Sequence, residues 1–175
     1  MIDFTNIKYL YYGSERQIEV YQLLQESKLL ILLETYNPIL VGSIPLQLDL
    51  PASDVDIICQ FKSKNQFMNH ISYMFNQEAQ FIVKEFFMYG IETVTANFQI
   101  KGVEVEVFAQ EIPTKEQMGY KHLLIEYELL KSYGEPFRKQ ILELKKNGST
   151  TEEAICNILG IGGNPYISLI DKINY

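Results

Sequence analysis

From Ser14 to Tyr36 the chain reads SERQIEVYQLLQESKLLILLETY, with Ile18, Leu23, Leu24, Leu29, Leu30 and Leu33 recurring at helical spacing. The spacing predicts one helix over these residues. Ser14 and Gln17, three residues apart, have the form of a capping box at its start. Pro38 ends it, because proline disfavours the helical conformation at the residue before it. The period then shortens. ILVGS, residues 39–43, makes a short strand ending at Gly42, and a loop carrying Pro45 and Pro51 leads into DVDIICQF, a second strand. Residues 64–76 predict another helix. QFIVKEFFMYG, IETVTANFQI and VEVEVFAQ are β-like runs, the last two closed into a hairpin at Lys101-Gly102, where glycine supplies a positive φ. After Pro113 the helical period returns in TKEQMGYKHLLIEYELLKSYG, EPFRKQILELKKNG and TTEEAICNILG, with Thr114 and Thr151 as expected caps. A short last helix starts at Pro165.

This order predicts an α+β fold: a mixed sheet of about five strands flanked by helices, with a helical C-terminal third. No repeat, low-complexity tract or linker divides it. The expectation is one domain over residues 1–175, with a sheet core in 1–112 and a helical part, 113–175, packed on it.

Alternation along the strands brings out the chemistry. Asp54 and Asp56 fall on one face of their strand, and Val55, Ile57 and Cys59 on the other. Carboxylates that close repel each other, and a divalent cation removes the repulsion. Mg²⁺ binds through one or two carboxylates together with substrate phosphates, which suits Asp-x-Asp on a rigid strand. VEVEVFAQ repeats the design, with Glu104 and Glu106 opposite Val103, Val105 and Val107. Acids are poor strand formers inside a β-branched run. If the two strands are neighbours, three or four carboxylates converge on one patch of sheet, and Mg²⁺ or Mn²⁺ is the expected cofactor. Gly42-Ser43, ten residues before Ser53-Asp54, offers a bare backbone and a hydroxyl to phosphate oxygens.

VGS followed by SDVDII resembles the active-site signature of the nucleotidyltransferase superfamily, the DNA polymerase β-like fold: Gly-Ser, a gap, Asp-x-Asp between apolar residues, and a third acid on a later strand. NPILVGSIPLQLDLPASDVDIIC, VEVFAQEIP and YKHLLIEYELL also resemble, over almost the whole chain, a bacterial family of unknown function placed in that superfamily. The resemblance implies that Asp54, Asp56 and Glu106 are the catalytic and metal-binding acids, with Glu104 as a further metal candidate. It implies that Gly42 and Ser43 hold the β- and γ-phosphates, with Ser53, Lys121 and His122 as further nucleotide candidates. The reaction implied is transfer of a nucleoside monophosphate from an NTP to an acceptor hydroxyl on a small molecule or a protein. Two departures accompany it. Glu106 stands where an aspartate is usual, and IPLQLDLP after Ser43 offers no cation to a triphosphate. These departures favour the alternative, a non-catalytic nucleotide-binding or protein-partner module that kept the fold. On their own pattern, Glu104 is a solvated acid, His122 an interfacial histidine, and Lys121 and Arg138 solvated helix charges.

Composition narrows the partners. Hydrophobic residues make up 47% and charged residues 21% of 175, the balance of a globular protein. A net charge of −7 without a basic block argues against a long nucleic acid and leaves small molecules or another protein. No apolar run approaches a membrane span, and MIDFTNIKYLYYG lacks the basic start of a secretory signal. Cys59 and Cys156 lie in apolar settings and read as buried thiols, so the expected compartment is the cytoplasm.

Overall fold

The computed structural model describes residues 2–173. Its elements in chain order are α1 (Glu15–Glu26), α2 (Leu29–Leu32), β1 (Ile39–Val41), β2 (Val55–Gln60), α3 (Lys64–Phe75), β3 (Ala79–Met88), β4 (Ile91–Ile100), β5 (Val103–Gln110), α4 (Met118–Lys146), α5 (Thr151–Leu159) and α6 (Pro165–Ile173). The strands form one five-stranded sheet in the order β1-β2-β5-β4-β3. The β2–β5 pair is parallel and the other pairs are antiparallel, so the sheet is mixed, with helices on both faces.

Strand alternation divides the apolar residues between two layers. Ile57, Val94, Phe98, Val105 and Val107 pack with Leu23 and Leu24 of α1, Leu29 of α2, and Phe67 and Ile71 of α3. Ile39, Val41 and Ile58 turn the other way and pack with Leu123 and Ile141 of α4, Ile155 of α5 and Leu169 of α6. β2 therefore sends core residues to both faces, its polar positions being Asp56 near its start and Gln60 at its end. Both cysteines are buried, as expected. Among the described residues no helix is long and apolar enough to cross a membrane.

The capping box at Ser14 is present in full. The helix it starts is shorter than the periodicity predicts. Lys28 takes a left-handed conformation (φ 55°), ending α1, and the apolar run continues as the single turn α2 and a 3₁₀ turn at Glu34–Tyr36. Lys101 and Gly102 both have positive φ (52° and 81°), as a tight hairpin turn requires. Two expected caps are displaced. Thr114 opens a 3₁₀ turn instead of capping α4, and Thr150, one residue before Thr151, caps α5 through a capping box with Glu153. Two of the expected C-terminal helices join as α4, interrupted at Gly134, whose backbone is not helical.

Candidate active site

The register of the sheet gathers the acids. Asp56 of β2 lies opposite Val41 on one side and opposite Glu106 of β5 on the other. Glu106 in turn lies opposite Asn97 of β4. In-register neighbours share a face at a strand spacing of about 4.8 Å, so Asp56, Glu106 and Asn97 form a polar row across three strands. The row points toward the face carrying α4–α6. Asn97 Nδ2 donates to Glu106 Oε2 at 3.1 Å. Glu104 falls on the same face further along, exposed and held by Gln99 Nε2 at 2.5 Å.

Asp56 keeps part of its surface open to solvent, yet dense protein surrounds its carboxyl. Burial pushes the carboxyl well above the usual range, and the charges of Asp54, Glu106 and Glu152 push the same way. Lys145 opposes them. The site is thus a cluster of mutually repelling acids at the end of β2. Gly42 makes room for it: with φ 76°, its bare Cα faces Asp56, and a Cβ there would lie 2.9 Å from Asp56 Cγ.

Ser43 stands just before a tight 3₁₀ turn, Ile44–Leu46, its carbonyl accepting from Leu46 and Leu48 N–H. The loop from Ser43 to Asp54 is fastened from outside. Gln17, 2% exposed, donates from Nε2 to the carbonyls of Ile44 (2.9 Å) and Pro45 (3.0 Å). Its Oε1 accepts from Ser14 N–H and Gln47 Nε2. Arg138 donates to the carbonyls of Leu46 and Gln47, and Arg16 to that of Ser53 at 3.2 Å. Side chains from α1 and α4 thus bring two cations to the backbone carbonyls of a loop whose segment IPLQLDLP carries none.

The remaining nucleotide candidates are placed unequally. Ser53 closes a turn with Leu50, its Oγ accepting from Leu50 N–H at 2.9 Å. Lys121 is exposed and its side chain makes no hydrogen bond or ion pair among the described residues. His122 is buried, with Nε2 donating to the Tyr166 carbonyl (2.7 Å) and Nδ1 3.4 Å from Glu152 Oε1, so it joins α4 to α5 and α6. That placement is the interfacial one.

Three charged residues that the sequence does not single out, Lys145, Glu126 and Glu152, join this cluster of charges from α4 and α5. Lys145, half-buried near the end of α4, acts on Asp49, Asp56, Glu126 and Glu152, and burial lowers its pKa. It donates to Thr151 Oγ1 at 2.8 Å. Glu126, 4% exposed and without a hydrogen bond among the described residues, is pushed well above the usual carboxylate range by burial and by Glu152. An acid within LLIEYELL was the signal for Glu126. Lys145, in LELKKNG, reads as an ordinary helix-end charge. Two cavities of about 270 and 290 Å³ lie elsewhere, one beside Arg16 and Lys101, the other beside Tyr36 and Ser63.

Among the described residues no group of three or more His, Cys, Asp or Glu side chains is arranged to hold a metal ion unaided. Mg²⁺ does not need such a cage. It is bound through one or two carboxylates, with phosphate and water completing its shell, and the paired Asp56 and Glu106 carboxylates beside Asp54 are donors of that kind.

Residues 22–172 match the family described as "Domain of unknown function (DUF4269)". The chain belongs to that family. Among curated proteins none matches this DUF4269 chain. Solved structures do. The Cid1 poly(U) polymerase with MgGTP bound is 14% identical, with a TM-score of 0.55 over 79% of this chain and 46% of that one. The polymerase core of TRAMP, an RNA surveillance complex, is 17% identical, with a TM-score of 0.50 over 93% and 51%. The GLD-2/RNP-8 complex is 14% identical, with a TM-score of 0.56 over 91% and 66%. The DUF4269 chain therefore has the nucleotidyltransferase-like fold, as its acids and Gly-Ser corner led us to expect. It spans from 46% to 66% of those chains, less than two thirds of each.

Proposed function

We propose that this chain is a Mg²⁺-dependent nucleotidyltransferase that transfers a nucleoside monophosphate from an NTP to a hydroxyl of a small molecule or protein. The observation that carries this reading is the in-register pairing of Asp56 with Glu106, beside Asp54 and against the Gly42-Ser43 corner. The acceptor hydroxyl oxygen bonds to the α-phosphorus, the bond from that phosphorus to the bridging oxygen breaks, pyrophosphate leaves, and the hydroxyl proton passes to solvent. A divalent ion held by Asp54, Asp56 and Glu106 would neutralise charge on the phosphates. Gly42 and the Ser43 hydroxyl would face the β- and γ-phosphates, and Lys145, the cation acting on Asp56, would offset their charge from the helical side.

Calorimetric titration with Mg²⁺ and each NTP tests the reading, on the wild type and on Asp54→Asn/Asp56→Asn. Binding of at least one Mg²⁺-NTP that disappears in the double variant supports it. Absent binding, or binding that the double variant retains, defeats it.

A second reading, a nucleotide-binding module without turnover, is favoured by Glu106 standing in place of aspartate and by the uncharged stretch IPLQLDLP after Ser43. Incubation of cell extract with α-³²P-labelled NTPs separates the two. Label on any acceptor with release of pyrophosphate supports the enzyme, and tight binding with the NTP intact supports the module.

A further inference from the structure

The geometry points to Asn97 as the positioning residue of the third carboxylate, setting the direction in which Glu106 presents its free oxygen. This assignment rests on the metal-binding role proposed for Glu106. It begins from the glutamate that stands where the family resemblance leads one to expect aspartate. The longer side chain has one more rotatable bond and places its carboxylate one methylene further from β5, so its direction is less well fixed by the backbone. A carboxylate that loose makes a poor metal ligand unless something outside it takes hold of one oxygen.

Asn97 is placed to do so. It is the direct cross-strand neighbour of Glu106 in β4, and its Nδ2 donates to Oε2 at 3.1 Å. A bond from an amide donor restrains the carboxylate without adding charge to a cluster already crowded with acids. Oε1 makes no hydrogen bond or ion pair among the described residues. Glu106 is flanked on its other side by Asp56, so one oxygen is tethered toward β4 while the other is left for a cation shared with β2. Both residues are half-buried, which shields the bond from competing water while leaving the row open on the face where a ligand arrives.

The same two strands carry an internal control. Two residues along, Gln99 pairs with Glu104 through an equivalent amide-to-carboxylate bond of 2.5 Å, but Glu104 is exposed and lies beyond Val55 and Val105, where the pairing of β2 with β5 begins. If these amides serve only to pair the strands, removing either should have the same effect. If Asn97 directs a metal ligand, the effects differ.

The test is Mn²⁺ affinity, measured by titration followed with electron paramagnetic resonance in the presence of a non-hydrolysable NTP analogue, on the wild type, Asn97→Leu, Asn97→Ser and Gln99→Leu. Thermal unfolding is recorded in parallel. The expected result is a loss of roughly tenfold or more in Mn²⁺ affinity for both Asn97 variants, the scale seen when outer partners of metal ligands are removed. Gln99→Leu is expected to bind like the wild type. Asn97→Ser keeps a small polar residue, so it reports even if the leucine variant folds poorly. Wild-type affinity in Asn97→Ser, or an equal loss in Gln99→Leu, overturns the assignment while leaving the metal site standing. A wild type that takes up no Mn²⁺ defeats the proposed function itself and this assignment with it.

Discussion

The carboxyl group of Asp56 lies in the space that a side chain on Gly42 would need. Gly42 directly follows β1 and Asp56 belongs to β2, and they meet because Val41, just before the glycine, is the cross-strand partner of Asp56. The glycine therefore has two duties: adopting φ 76° and leaving the acid its place.

Gly42→Ala should accordingly strain the backbone and displace Asp56 together. We expect a loss on the order of 2 kcal/mol or more in stability, read by urea unfolding, together with loss of Mn²⁺-NTP binding read by calorimetry. Alanine at Gly148, which has positive φ but open space around it, should cost stability and leave binding intact.

Asp56→Asn should act in opposite directions with and without metal. Without metal, the wild type carries a crowded carboxyl facing Asp54, Glu106 and Glu152, and removing it relieves repulsion. The variant should melt higher than the wild type in EDTA at neutral pH. On addition of Mn²⁺ the wild type should rise in melting temperature and the variant should not.

Glu126 gives a pH dependence. Its folded pKa is raised, chiefly by burial with Glu152 adding and Lys145 opposing, so the folded state holds this proton more tightly than the unfolded chain does. The stabilisation is complete below the ordinary carboxylate pKa and is lost as pH rises through the raised value. Glu126→Gln keeps a neutral group throughout. It should exceed the wild type in stability at pH 8, by on the order of 1–3 kcal/mol, and the gap should close as the pH falls toward 4. Chemical unfolding across that range measures it.

Gln17→Leu should loosen the loop between Ser43 and Asp54. Four hydrogen bonds meet at that buried amide, and leucine takes the side-chain donor from the Pro45 carbonyl and leaves the Ile44 carbonyl with Gln47 N–H alone. A cost of about 2–4 kcal/mol is expected. Hydrogen exchange should quicken at Leu46 and Leu48, whose N–H groups close the turn on Ser43.

The strand assignments were legible because alternation and turn chemistry are local. Asp54, Asp56 and Glu106 stood out because acids interrupt β-branched runs, and the placing of Val55, Ile57 and Cys59 on the opposite, core-facing side followed from the period of two. The split of the first helix was not legible. A left-handed Lys28 has no marker in ESKLL, and the apolar spacing runs through it unbroken. The cap of α5 slipped by one residue because Thr150 and Thr151 are adjacent and only the capping box distinguishes them. Lys145 and Arg138 were hidden for a different reason. Arg138 meets the carbonyls of Leu46 and Gln47, and Lys145 acts on Asp49 and Asp56, about 90 residues earlier in the chain, and nothing near a cation in a helix tells which distant loop it will meet.

The parallel pairing of β2 with β5 bears on how the protein is made. Glu106 lies fifty residues after Asp56, and the whole of α3 and the β3–β4 hairpin must be synthesised between them. A nascent chain that has released only its first hundred residues exposes one edge of β2 with two unneutralised acids at its head. The centre can therefore assemble only after β5, the strand that fills this gap, has emerged from the ribosome.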